Sequence, residues 1–182
     1  VVTKKFDSYI FIRDTTGSML IYDTGDGTGH RYGAGLANGH VLRQVVGRYS
    51  NYYGVPEILP IEAWQVENKT VECLPEELTT NIDSADVCRY VCINDVVINE
   101  NNIATSPIIN NIEVMDAFNT GLINDVNTTL DAIVMLSWNN LQLWCVRQQV
   151  EETNATNTIV VDNHDTRKMI INQQLIIHIN TE

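Results

Sequence analysis

The sequence predicts a mainly β protein: an antiparallel sandwich or barrel with one amphipathic helix near residues 39–53, α+β being the alternative. Three observations carry this. Short runs rich in Val, Ile, Thr and Tyr recur between clusters of Asn, Asp and Gly, the pattern of strands bounded by turns. Asn is abundant, at 20 of 182 residues, and hydrogen-bonds at turns and on polar strand faces without adding charge. A hydrophobic content of 44% at this length suffices for a core, and a single domain over residues 1–182 is expected.

Residues 8–13 and 18–22 read as a β-hairpin around Asp14-Thr15-Thr16-Gly17, with Asp first and Gly last as a type I turn prefers. Residues 23–39 hold six of the ten glycines and read as a long loop. The helix follows. Asn38 is its N-cap, and Val41, Leu42, Val45, Val46, Tyr49 and Tyr52/Tyr53 recur at helical spacing until Gly54 and Pro56 end the run. Residues 58–72 read as strand, and Pro75-Glu76-Glu77-Leu78 as the start of a short helical turn. Residues 90–98 form a strand, Asn99-Glu100-Asn101-Asn102 a turn, and residues 103–114 the partner strand, interrupted by Pro107 at an edge or bulge. Residues 132–150 fit either a hairpin about Asn139-Asn140 or a helix from near Asp125; two adjacent Asn favour the hairpin. Residues 158–162 form a short strand, 163–165 a turn, and 169–180 a strand covered on both sides. No internal repeat is visible.

Charge restricts the partners. The net charge is −12, with residues 1–50 at +2 and residues 51–150 at −11. Such a surface repels phosphate, so no direct sequence-specific nucleic-acid binding is expected. No stretch approaches the ~18 uninterrupted apolar residues of a membrane helix, so no membrane partner is expected. Cys73, Cys88, Cys92 and Cys145 form no C-x-x-C pair and read as small buried hydrophobes; two disulfides stay open for an extracellular protein. His30, His40, His164 and His178 show no metal-ligand spacing, so neither metal nor cofactor is expected.

Leu20-Ile21-Tyr22-Asp23-Thr24-Gly25 ends in a triplet that resembles the Asp-Thr-Gly of aspartic peptidases, where two aspartates share a proton. The resemblance implies a homodimer built on Asp23. The sequence departs from that pattern at once, in Asp26-Gly27-Thr28-Gly29-His30, and a strand-ending turn accounts for the triplet. Trp64, Trp138 and Trp144, with Tyr49, Tyr52 and Tyr53, could make a sugar-stacking platform, although core packing is the plainer use of such rings.

The expected function is therefore non-enzymatic and structural: a subunit of a larger homo-oligomeric assembly, a virion head or tail component or an extracellular filament. Its partners would be copies of itself and other subunits. The loop residues Asp26, Gly27, Gly29, His30, Arg31 and Tyr32 would be the assembly contact. A carbohydrate-binding module is the alternative, and a dimeric aspartic peptidase the distant one.

Overall fold

The structure, a computed structural model, describes residues 1–150, 167–171 and 175–179. Contacts divide the chain into two units, Val1–Glu151 and Glu152–Glu182.

The first unit begins with a meander of β1 (Val2–Phe6), β2 (Tyr9–Arg13) and β3 (Ser18–Tyr22). The β2–β3 turn falls at the expected residues: Asp14 N–H bonds to the Gly17 carbonyl at 3.0 Å, and Asp14 Oδ1 accepts from Thr16 and Gly17 N–H. After the long loop come β4 (His40–Arg43), β5 (Gly47–Tyr52), β6 (Val55–Pro60) and β7 (Gln65–Thr70). β5 and β6 form a hairpin, and β6 runs parallel to β3, with Leu20 opposite Glu57. The sheet order is β1-β2-β3-β6-β5, and β4 pairs with β7 in a separate ribbon.

The next segment brings β8 (Glu76–Glu77), a 3-10 turn at Ser84–Asp86, then β9 (Tyr90–Ile98), β10 (Ile103–Ser106), β11 (Ile109–Met115), β12 (Asn127–Ser137) and β13 (Asn140–Val150). β9, β10 and β11 form a meander, with Pro107 in the β10–β11 turn. β11 pairs in parallel with β13, β13 with β12, and β12 returns to β9. These pairings close a ring of five strands, with β8 added in parallel outside β9.

The two sheets share one plan: a three-stranded meander, a long connection, and a hairpin whose second strand joins the third strand of the meander in parallel. Each sheet thus follows a five-stranded Greek-key plan. The ring is closed in the second copy, and no β1–β5 pairing closes the first. The chain thus repeats in topology what its sequence does not show as a repeat.

Strand alternation divides the core. Ala132 and Val134 pack inside the ring with Val91, Ile93, Leu130 and Leu143, whereas Ile133 and Met135, on the other face of β12, meet Phe11 and Leu20 of the first sheet. The next residues along those first-sheet strands, Ile10 and Ile21, fall on its opposite face with Val2 and Trp64. The first sheet is therefore buried on both sides and lies against the outside of the ring.

Two expected helices are absent. Residues 39–53 form β4 and β5, not an amphipathic helix, and Asn38 caps nothing. The apolar residues at helical spacing are mostly β-branched or aromatic, types that favour strands. Gln44 takes φ 54° between the two strands. A Cβ at Gly47 would lie 2.6 Å from the Leu59 carbonyl oxygen, so glycine lets β5 approach β6 closely. Residues 75–78 are also not helical: Glu76 lies in strand pairing with β9 and Leu78 N–H bonds to the Cys92 carbonyl at 3.0 Å. Among the described residues the one helical element is the 3-10 turn.

In the second unit, β14 (Arg167–Ile171) pairs antiparallel with β15 (Leu175–Ile179). The single strand expected over 169–180 is thus two. The strand and turn expected over 158–165 lie outside the described residues.

Candidate ligand-binding surface

Both hairpins end in two-residue turns with positive φ at both positions, the signature of a type I′ turn. In β5–β6 they are Tyr53 (φ 50°) and Gly54 (φ 94°); in β12–β13 they are Trp138 (φ 51°) and Asn139 (φ 63°). The hairpin expected over 132–150 is present, with its turn one residue earlier than Asn139-Asn140. Gly and Asn are at home there, but a bulky aromatic ring in this region is an outlier. Such outliers cluster where function uses them.

The two tips meet. The Tyr53 and Trp138 rings lie 4.5 Å apart between centroids at 41°, and Tyr52 adds an edge contact to Tyr53 at 4.6 Å. A Cβ on Gly54 would be 2.7 Å from Leu136 Cδ1, so the tips touch through backbone as well as rings. Asn51 Oδ1 accepts from Gly54 N–H at 2.9 Å and fixes the first turn. Tyr52, Tyr53 and Trp138 are 62%, 45% and 72% exposed. Three contiguous rings thus present polarizable faces and polar edges to water.

The other tryptophans lie elsewhere. Trp64 is 9% exposed, packed with Val2, Ile10 and Ile21 and 6.1 Å from the Tyr32 ring. Trp144 is half-buried, edge-on to Tyr9 at 5.1 Å and Phe11 at 6.1 Å. Tyr49 is exposed on β5. Of the three tryptophans, the structure joins only Trp138 to the tyrosine pair. The contact between β5–β6 and β12–β13 was invisible in sequence, because Gly54 and Trp138 lie 84 positions apart. A bulky ring beside Asn or Gly at each turn was the available signal.

The glycine-rich loop is anchored at its base. Asp23, 1% exposed, accepts from Gly25 N–H at 3.1 Å and Gly33 N–H at 2.7 Å, holding the two ends of the loop together. These bonds account for its burial as a staple. Asp26 closes the tip: its N–H bonds to the His30 carbonyl, and its Oδ1 accepts from the Thr28 hydroxyl and N–H. Those hydrogen bonds, the hydroxyl's foremost, hold the Asp26 carboxyl below the ordinary range. Arg31 pairs with Asp7, and the Tyr32 hydroxyl donates to the Ile61 carbonyl at 3.3 Å. Asp26, Gly27, Gly29 and His30 stand exposed, whereas Arg31 and Tyr32 turn back to the body.

All four cysteines are free, with Cys88 and Cys145 buried. Burial pushes the Cys88 thiol up to about 12. Among the described residues no group of three or more His, Cys, Asp or Glu is placed to hold a metal. No protein-family model, curated protein or solved structure matches the chain.

Proposed function

We propose that the protein is a non-enzymatic binding module that takes an extended, uncharged glycan across the paired hairpin tips. The observation that carries this is the tilted contact of Tyr53 and Trp138, two exposed rings held at positive φ on tips from different sheets. Sugar rings present C–H faces that lie on aromatic faces, and the hydroxyls around them suit the Asn side chains at both turns. By fold analogy, barrels of this plan bind oligonucleotides or oligosaccharides on strands two and three and at the loops joining strands one–two and four–five. The tips are the four–five loops of both sheets. A net charge of −12 favours the neutral ligand over the phosphate polymer.

Calorimetric titration with neutral plant, microbial and host oligosaccharides tests the reading, with single-stranded DNA and RNA as controls. Trp138→Asn should weaken the best glycan about fivefold or more, taking a ring stacked on an aromatic face as worth roughly 1–3 kcal/mol, as for nucleic-acid bases. Equal binding by that variant, or binding of the nucleic acids alone, would remove the reading.

A second reading is a subunit of a homo-oligomeric assembly in a virion or an extracellular filament. It is favoured by the exposed loop tip at residues 24–30, which is stapled at its base and free of the core. The native mass in solution tests it.

A further inference from the structure

Behind the exposed rings, where the first sheet meets the outside of the ring, lies a cavity of about 290 Å³. That is at the small end of ligand pockets and has room for a compact head group. Four aromatic residues face it: Tyr9 from the start of β2, Tyr22 from the end of β3, Tyr52 from β5 and Trp144 from β13. Tyr9 is the hub, with centroids 5.2 Å from Tyr22 and 5.1 Å from Trp144.

The fifth wall is Glu57. Alternation along β6 puts it on the same side as Val55, facing the cavity, and it is 7% exposed. Four carboxylate residues are buried among the described residues: Asp23, Glu57, Asp86 and Asp131. Asp23 accepts from two loop amides, Asp86 pairs with Arg89, and Asp131 pairs with Arg147 at 2.6 Å. Glu57 has neither a hydrogen bond nor an ion pair among those residues, and its carboxylate oxygens are not sealed from solvent, so its charge opens onto the cavity. The three bases of residues 51–150 are engaged elsewhere: Lys69 with Glu67, Arg89 with Glu76 and Asp86, Arg147 with Asp131. Arg48, two residues along β5 from Glu57's cross-strand neighbour Ser50, is exposed and forms no ion pair with it.

We propose that this cavity binds a small organic ammonium group, with Glu57 as its counter-charge and Tyr9, Tyr22, Tyr52 and Trp144 as its aromatic walls. Aromatic faces attract cations through their quadrupole, most strongly when water is excluded, and quaternary ammonium groups are the usual guests of such cages. Burial, with Tyr22, Tyr52 and Glu57 nearby, pushes the Tyr9 hydroxyl up, so the ring stays neutral.

The test compares choline with 3,3-dimethyl-1-butanol, a neutral molecule of the same shape, by calorimetric titration of the full chain. Choline should bind saturably, and the neutral isostere at least about tenfold more weakly. In an indole N–H NMR spectrum choline should move the Trp144 resonance and leave that of Trp64 in place. Glu57→Gln should lose choline binding by a similar factor while its melting temperature holds, because the carboxylate makes no hydrogen bond or ion pair with the described residues. Should that variant fold poorly, Tyr22→Leu carries the same expectation. Equal affinity for the two molecules, undiminished binding by the variant that folds, or no choline binding up to about 10 mM would overturn the proposal.

Discussion

Trp138 holds a backbone conformation that costs a bulky residue on the order of 1–3 kcal/mol. Its ring contact with Tyr53 returns about 0.5–1.5 kcal/mol of this. Asn occupies the same φ region readily. Trp138→Asn should therefore leave stability unchanged or slightly raised in a urea melt while ligand affinity falls. Core tryptophans behave oppositely, losing both together. Glu76 is a second residue of consequence. It pairs with Arg13 of β2 and, at 2.6 Å, with Arg89, joining the first sheet to the strand beside the ring. Burial pushes its carboxyl up, but the two guanidinium groups outweigh this and leave it below the ordinary 4.5. A depressed folded-state value means that Glu76 contributes stability above pH 4.5, and that the contribution is lost as the pH falls through the folded value. Its side chain is 37% exposed, so the contribution is about 1 kcal/mol or less. Glu76→Gln should lower the melting temperature at pH 7 and have little effect near pH 3.

At the scale of elements, turns decide the surface. Gly54→Ala would place a methyl 2.7 Å from Leu136 at φ 94°, where alanine is strained whatever the space. It should cost about 1–2 kcal/mol by urea denaturation, and it should weaken ligand binding too, because the second tip must shift. Turn chemistry of this kind was legible in the sequence: the Asp14–Gly17 turn, the strand over 90–98 and the hairpin over 132–150 all follow from local signals. The helix expected over 39–53 failed for a physical reason. Six of its apolar residues fit a 3.6-residue period by coincidence, while their β-branched and aromatic character and the close approach at Gly47 suit paired strands. The same local reading missed the site. Trp64, Trp138 and Trp144 look alike in sequence, and only the packing of one sheet on the other buries Trp64, half-buries Trp144 and leaves Trp138 in water. Glu57 sits in an unremarkable strand, and its lack of a partner appears only once the bases of residues 51–150 are seen to be engaged elsewhere and Arg48 to form no ion pair with it.

For the whole molecule, one strand plan serves twice, and the surface proposed for the ligand exists only because the two copies dock. Charge acts at this scale as well. Residues 51–150 carry a net −11 and residues 1–50 a net +2. If the molecule assembles through like surfaces, raising salt from about 10 to 150 mM should strengthen association, as the Debye length falls from roughly 30 to 8 Å. Docking of the basic start onto an acidic neighbour would give the opposite slope in a sedimentation series. Deleting residues 26–29 removes the exposed loop tip yet spares the Asp23–Gly33 bond, so stability should hold while any assembly through the loop is lost. A variant that associates normally would exclude the loop as the contact. The three tryptophans at three depths also make the protein its own optical probe. Trp138, surrounded by water, should emit toward the red, and Trp64, buried, with half-buried Trp144, toward the blue. A ligand on the hairpin tips would then perturb only the red component, and loss of the contact between the sheets would red-shift the Trp144 share of the blue one.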